Sequence, residues 1–145
     1  MQIRPATAED TRTIYGFLCD LEEQLFDFEV FKAIFLKNLQ NPDCHYFLAF
    51  DGLTPVGYAS LHAQWLLHHC GKVGEIQEMY VVASHRGRGI GKILLAQLME
   101  VAEREQLEVI EVTANQKRHD THRFYEANGL QKTHFKFVKP MGQGR

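Results

Sequence analysis

A chain of 145 residues is long enough for one folded domain with a substantial apolar core. Its formal net charge of −2 excludes proteins that bind nucleic acid or anionic membranes through a strong overall positive charge. No apolar run reaches the roughly 18 residues of a membrane span, and no signal-like segment follows Met1. Three cysteines without CxxC spacing argue against a disulfide framework or a zinc site, so we expect a cytoplasmic protein.

Predicted strands and helices alternate irregularly along the chain. Apolar residues spaced three to four apart predict helices, and short runs of β-formers between turn residues predict strands. The predicted strands cover residues 2–5, 45–50, 56–62, 75–82, 108–113 and 133–139. The predicted helices cover the segment after a Thr7–Asp10 capping box and residues 29–38, 89–106 and 119–128. Residues 64–72 have no clear period. This order predicts one α/β domain over residues 1–145, a mixed sheet flanked by helices.

A glycine-rich loop stands between the predicted strand 75–82 and the helix after it. Its residues are Arg86, Gly87, Arg88, Gly89, Ile90 and Gly91. Glycines let an anion approach the backbone closely, and the N–H groups of a helix start form an anion cradle. Arg86, Arg88 and Lys92 add positive charge. The loop is neither a P-loop, because Ile93 follows Lys92, nor a dinucleotide fingerprint, because its spacing is G-x-G-x-G.

The Arg-x-x-Gly-x-Gly pattern at Arg86, Gly89 and Gly91 resembles the acetyl-CoA pyrophosphate loop of the GNAT superfamily of N-acetyltransferases. The order of elements matches that superfamily over nearly the whole chain. The resemblance implies a mixed, mostly antiparallel sheet with about four helices, splayed at the central strand. It has one departure, since Ala83 stands where many members have proline.

The same resemblance implies a set of residues that contact acetyl-CoA. Residues 124–130 look like the second CoA motif of the family, in which the phenol of Tyr125 protonates the departing thiolate. Packing of the last helix is the alternative role for this tyrosine. The implied contacts are Met79, Tyr80, Val81, Val82, Arg86, Gly87, Arg88, Gly89, Ile90, Gly91, Lys92, Asn115, Phe124 and Tyr125.

Two carboxylates on the predicted central strand are candidates for the base that the acceptor amine needs. Glu75 and Glu78 lie beside the expected thioester position, and Glu78 is favoured because it lies nearer the splay. Strand alternation predicts that they point to opposite faces unless a bulge intervenes. A solvated strand edge or an internal salt bridge is the alternative role.

A narrower resemblance concerns the acceptor. Residues 74–78, 117–125 and 134–137 look like those of the aminoalkylphosphonate N-acetyltransferases. This implies a small aminophosphonate substrate and activation by a divalent metal, with no motif that assigns the metal ligands. The candidate substrate residues are Glu75, Lys117, Arg118 and His119.

Several alternatives stay open at this point. The acceptor could be another small amine, such as an aminoglycoside, a polyamine or a peptide N-terminus, or the domain could bind acyl-CoA without turnover. Lys117 and Arg118 could bind phosphonate or simply precede a helix that Asn115 caps. His119 with His122, or His68 with His69, could bind metal or pack locally. Residues 65–67 could form a homodimer contact.

Overall fold

The computed structural model describes residues 1–142, which comprise five strands and four α-helices. The strands are β1 (Gln2–Pro5), β2 (Cys44–Asp51), β3 (Thr54–Leu66), β4 (Gly71–Val81) and β5 (Val109–Val112). The helices are α1 (Thr11–Glu22), α2 (Phe28–Leu39), α3 (Ile90–Arg104) and α4 (His119–Ala127). Short 3₁₀ turns occupy Ala8–Asp10, Leu67–His69 and Ala83–His85. The chain divides after Val112 into two compact units, which we describe separately.

The five strands form one mixed sheet in the first unit. Their spatial order is β1-β2-β3-β4-β5, and every pair is antiparallel except the parallel pair β4–β5. The crossover between the two parallel strands is α3, as a parallel connection requires. The mixed α/β fold predicted from the sequence is therefore confirmed.

Helices cover the two faces of this sheet. Ile14 and Phe17 of α1 and Phe35 of α2 share a buried cluster with Tyr46, Leu48, Tyr58 and Tyr80 from one face. On the other face, α3 buries Ile90, Leu94 and Leu98. A Cβ atom at Gly57 would lie 3.1 Å from Leu94 and 3.2 Å from Ile90, so glycine lets α3 approach β3 closely.

The parallel pair β4–β5 stops halfway along β4. Pairing runs from Val73 opposite Val109 to Ile76 opposite Val112, and β5 ends there. Residues 77–81 of β4 remain paired to β3 only, among the strands of the described chain. This parting is the predicted splay of the central strand, and it leaves backbone groups of β4 on an open edge.

One strand prediction is wrong, and one segment that had no assignment is placed by the structure. Residues 64–72, without a clear period in the sequence, form the ends of β3 and β4 and the 3₁₀ turn Leu67–His69 between them, so both strands are longer than predicted. The strand predicted at residues 133–139 is absent from the described residues, where this segment has no regular structure. Phe135 and Phe137 are 84% and 94% exposed. Alternation alone does not make a strand, because a strand also needs a hydrogen-bonded neighbour.

The remaining elements match their predicted positions within about two residues, as is usual for boundaries. The capping box is present, with the backbone N–H of Thr7 donating to the Asp10 carboxylate at 2.8 Å. Trp65 and Leu67 are exposed in the β3–β4 hairpin, and the homodimer contact stays a prediction. Within residues 1–142, no helix combines the length and apolarity that crossing a bilayer requires.

Candidate active site

The glycine-rich loop has the geometry of an anion cradle. Gly87 and Gly89 adopt left-handed backbone conformations, with φ of 78° and 82°, which other residues take only with strain. Gly89 is the N-cap residue of α3, and Ile90 directly behind it is buried and anchors the helix start. The first N–H groups of α3 have no partner within the helix and carry the positive end of its dipole.

The open edge of β4 leads directly to this loop. Val82 donates its N–H to the carbonyl of Val56 on β3, at 2.9 Å. Because backbone groups alternate in direction along a strand, those of Met79 and Val81 point away from β3, to the open edge. The carbonyl of Val81 accepts a 2.9 Å hydrogen bond from Nε of Arg86 there. The guanidinium of Arg86 also lies 5.8 Å from the centre of the Tyr80 ring.

A β-bulge in β4 decides where the two candidate carboxylates point. Ser60 of β3 lies opposite Glu78, whereas its neighbour Leu61 lies opposite Ile76, so Gln77 is an extra residue. His62 then lies opposite Glu75. Residues opposed in an antiparallel pair point to the same face, so both glutamates share the face of Ser60 and His62, which α1 and α2 cover. The prediction of opposite faces excepted a bulge, and the bulge at Gln77 is that exception, because it shifts the alternation by one residue.

Hydroxyl groups hold Glu78 in place. The hydroxyls of Tyr58 and Ser60 both donate to its Oε1, the former at 3.1 Å. Its backbone N–H donates to Oγ of Ser60 at 3.0 Å, which closes a small ring of bonds. Burial, with the nearby Glu78 charge, raises the pKa of Tyr58 well above 10, so this phenol stays protonated and donates. Glu78 is thus fixed by neutral donors rather than by a cation.

A second hydrogen-bonded group stands beside Glu75. Tyr46 on β2 accepts a 2.9 Å hydrogen bond from the side-chain amide of Asn38 on α2. The Tyr46 hydroxyl also lies 3.0 Å from Nε2 of His62. Burial raises the pKa of Tyr46 to about 12, which keeps its phenol neutral. Glu75 itself accepts a 3.2 Å bond from the side-chain amide of Gln77, the bulge residue.

In the second unit, Lys117 and Arg118 lie in a turn ahead of α4. The side-chain oxygen of Asn115 accepts the backbone N–H of Lys117 at 2.9 Å, and its carbonyl accepts that of Arg118 at 3.0 Å. Both cations therefore precede the helix that begins at His119. They avoid the repulsion from the positive end of the helix dipole that a cation inside the first turn would experience. Both side chains are exposed and remain candidates for an anionic group.

The histidines of α4 do not assemble a metal site. His119 and His122 have ring centres 6.1 Å apart, and Nε2 of His122 is 2.8 Å from the carbonyl oxygen of Asn115. Residues 1–142 contain no group of three or more His, Cys, Asp or Glu side chains that could hold a metal ion. Activation by a divalent metal, and the ligands for it, stay predictions.

Tyr125 is buried on α4, next to Phe124, whose ring centre is 5.3 Å from its own. Burial raises the pKa of Tyr125 to about 12, because desolvation disfavours the phenolate. The hydroxyl therefore carries its proton at neutral pH, as a general acid must. The Asn115, Phe124 and Tyr125 contacts stay predictions.

Four residues beside the carboxylates were missed from the sequence: Tyr46, Tyr58, Ser60 and His62. One signal could have found three of them. Polar Tyr58, Ser60 and His62 alternate in β3 with the small or apolar Gly57, Ala59, Leu61 and Ala63. This alternation predicts a polar strand face, although the partners of that face depend on the register of other strands.

Comparisons with known proteins agree with this geometry. Residues 9–130 match the model of the Acetyltransferase (GNAT) family. Over 140 residues the chain is 41% identical to an aminoalkylphosphonate N-acetyltransferase of Salmonella typhimurium, covering 97% of this chain and 91% of that protein.

Solved structures share the fold. A putative acetyltransferase from Agrobacterium tumefaciens aligns with a TM-score of 0.83 and 23% identity, over 96% of this chain and all of that one (100%). An aminoglycoside 6'-N-acetyltransferase from Acinetobacter haemolyticus aligns with a TM-score of 0.81 and 16% identity, over 98% and 100% of the two chains.

A mixed sheet that parts at its central strand, beside a glycine-rich helix start, defines an acyl-CoA-dependent transferase. The family match covers most of the chain, and the chain belongs to the GNAT acetyltransferase family. It is an N-acetyltransferase that uses acetyl-CoA as its acetyl donor.

Proposed function

We propose that the enzyme acetylates the primary amine of a small aminoalkylphosphonate. The observation that carries this proposal is the 41% identity to the Salmonella typhimurium enzyme over 97% of this chain and 91% of that one. Identity of this extent over matching lengths supports a shared substrate class, whereas the distant structural neighbours support only the fold.

Binding of acetyl-CoA is assigned to the glycine-rich loop of residues 86–91, the phosphate loop, and to the open edge of β4. The diphosphate would accept hydrogen bonds from the N–H groups of residues 87–92, with charge from Arg88 and Lys92. The pantetheine arm would pair with the outward backbone groups of Met79 and Val81, as an added strand does. The N–H of Val81 is the donor that we assign to the thioester oxygen, and one such donor contributes about 3 kcal/mol.

The acceptor amine must lose a proton before it can react, and the sheet face that carries Glu75 and Glu78 (the carboxylate face) would take it. An alkylammonium with a pKa near 10.4 is a free amine in only about one molecule in a few thousand at pH 7. Glu75 and Glu78 would hold the ammonium, and one of them, with Glu78 favoured, would take its proton. The amine then attacks the thioester, and Tyr125 would protonate the departing thiolate.

The phosphonate needs positive charge that the carboxylate face does not offer. Lys117 and Arg118, exposed before α4, are assigned to this group, with His119 beside them. No step is routed through a metal ion, because the described side chains form no cluster that fits one. We place the reaction in the cytoplasm, where acetyl-CoA is available and the free cysteines Cys19, Cys44 and Cys70 stay reduced.

The test is an acetyl-transfer assay with matched acceptors. Acetyl-CoA is incubated with aminomethylphosphonate or 2-aminoethylphosphonate, and with the carboxylates of the same lengths, glycine and β-alanine. We expect thiol release and an acetylated product by mass spectrometry, with kcat/KM higher for the phosphonates. Turnover of spermidine or an aminoglycoside in the same panel, without any turnover of aminophosphonates, would overturn the proposal.

Variants in the same assay separate the roles of the charged residues. Lys117→Ala and Arg118→Ala should remove the preference for phosphonate over carboxylate, because they remove the cations assigned to the dianion. Replacing the base by glutamine, as Glu78→Gln or Glu75→Gln, should lower kcat by about a hundredfold, because general base catalysis contributes about 10²–10⁴-fold. The variant with the larger loss identifies which of the two glutamates is the base.

A further inference from the structure

His62 is placed on the carboxylate face by the register of β3 and β4. Because of the bulge at Gln77, His62 lies directly opposite Glu75, one cross-strand pair along from Ser60 and Glu78. The Cβ atoms of directly opposed antiparallel residues are about 4.5–5.5 Å apart. A half-buried histidine therefore neighbours a carboxylate that the proposed function assigns to the ammonium group.

One nitrogen of this imidazole is already engaged. Nε2 of His62 lies 3.0 Å from the Tyr46 hydroxyl, and the Tyr46 ring packs edge-on against the imidazole with centres 5.8 Å apart. The amide of Asn38 donates to the same hydroxyl at 2.9 Å, which fixes the phenol from the other side. The Tyr46 phenol can accept hydrogen bonds from both Asn38 Nδ2–H and His62 Nε2–H, because its own hydrogen can donate to the thiol of Cys44, which lies opposite His62 in β2.

We propose that His62 is the relay that takes the acceptor's proton from Glu75, with Tyr46 holding the imidazole in the tautomer that carries hydrogen on Nε2. This inference rests on the proposed function for the identity of the amine and differs from it in one respect. Because His62 lies opposite Glu75, Glu75 and not Glu78 is the carboxylate that receives the proton, so a larger loss of kcat in Glu75→Gln than in Glu78→Gln is expected. In this tautomer Nδ1 has a free electron pair, which points away from Tyr46 and makes His62 a proton acceptor.

The proton transfers balance without another reactant. An N–H bond of the ammonium breaks as an O–H bond forms on Glu75. That O–H bond then breaks as Nδ1–H forms on His62, directly or across one water, which restores the carboxylate and leaves an imidazolium whose Nε2–H still donates to Tyr46. Water takes the proton, since His62 is partly exposed. The titratable groups that face His62 are Glu75 and Glu78 on β4, Cys44 and Tyr46 on β2, and Tyr58 on β3.

The kinetic test uses His62→Gln, because glutamine can hydrogen-bond to Tyr46 but cannot take up a proton. With 2-aminoethylphosphonate we expect kcat to fall about ten- to a hundredfold, toward the lower end of general acid–base effects. The acid limb of the pH profile of kcat/KM should change shape, and the Kd for CoA by calorimetry should not change. His134→Gln, an exposed histidine in the C-terminal segment, is the matched control.

The second measurement needs no acceptor, so it separates this inference from the proposed substrate. Nitrogen-15 NMR of the histidine side chains should show neutral His62 with hydrogen on Nε2, and Tyr46→Phe should shift that tautomer. Should no aminophosphonate be acetylated, the kinetic arm uses whichever panel amine is turned over. Hydrogen on Nδ1 of neutral His62, or full activity with an unchanged pH profile in folded His62→Gln, would overturn the inference.

Discussion

At the scale of single residues, burial determines which hydroxyls can act as donors. The pKa values of Tyr46 and Tyr125 are both raised to about 12, and that of Tyr58 is raised well above 10, in each case chiefly by desolvation. These phenols remain neutral across the range in which an acetyltransferase is assayed. Tyr46 and Tyr58 orient His62 and Glu78, whereas the Tyr125 hydroxyl has no side-chain acceptor within residues 1–142 and stays able to donate.

Replacing Tyr125 by phenylalanine tests the general acid. We expect Tyr125→Phe to lower kcat about ten- to a hundredfold while leaving the Kd for CoA within about twofold, because only a proton donor is removed. Since a group with a pKa of about 12 is protonated at lower pH, the wild-type profile should show no alkaline loss from this residue below pH 10. Tyr15→Phe, which removes a phenol bonded to the carbonyl of Phe26, is the matched control. Unchanged kcat would assign Tyr125 to packing.

At the scale of elements, the phosphate loop depends on backbone conformation. Gly89 has φ of 82° and open space around its Cβ position. An alanine there would therefore strain the backbone without a steric clash of its methyl group. Forcing an L-residue into the left-handed region costs about 1–2 kcal/mol. We expect Gly89→Ala to weaken CoA binding about five- to thirtyfold in calorimetry, because the loop would relax away from the cradle.

The control for this variant is Gly52→Ala in the β2–β3 turn. Gly52 has φ of 62° and equally open surroundings, so its substitution should lower the melting temperature by a similar amount. It lies outside the cradle, and CoA affinity should stay at the wild-type value. Equal losses of CoA affinity in both variants would mean that general destabilisation, and not loop geometry, is responsible.

The individual elements differ in how far the sequence could predict them. The helices α1 to α3 were predictable because each carries its own apolar stripe, and the loop because its glycines and arginines are contiguous. The bulge at Gln77 was not, since it is a relation between β3 and β4 that local periodicity does not contain. The hydrogen-bonded groups around Glu78 and around His62 could not be predicted for the same reason, because their members meet only through strand register.

At the scale of the whole molecule, a buried ionic group at one end of the sheet should control stability at acid pH. His45 on β2 has its Nε2 2.9 Å from a carboxylate oxygen of Glu105, and Lys72 on β4 lies 2.6 Å from Asp43. The Nε2 atom is buried and makes no aligned hydrogen bond within residues 1–142. Burial lowers the pKa of His45 despite the nearby Glu105, so the folded state favours the neutral imidazole.

The sign of the resulting pH dependence follows from proton uptake. An unfolded histidine titrates near 6.5, whereas folded His45 takes up its proton only at lower pH. The unfolded state therefore binds more protons below pH 6.5, and the free energy of unfolding should fall as the pH decreases through that window. Urea unfolding of the wild type and His45→Gln at pH 7.5 and 5.5 measures this. An equal loss in both proteins would assign the effect to other groups.

The open edge of β4 also has a consequence for how this enzyme can diverge. A ligand recognised through main-chain N–H and C=O groups does not read the side chains that those residues carry. Substitutions at Met79 and Val81 are therefore tolerated as long as the new residue keeps an amide hydrogen and an extended backbone. Proline is the one residue of the twenty that lacks this hydrogen. Donor recognition can persist unaltered in this way while neighbouring positions are remodelled for new amines.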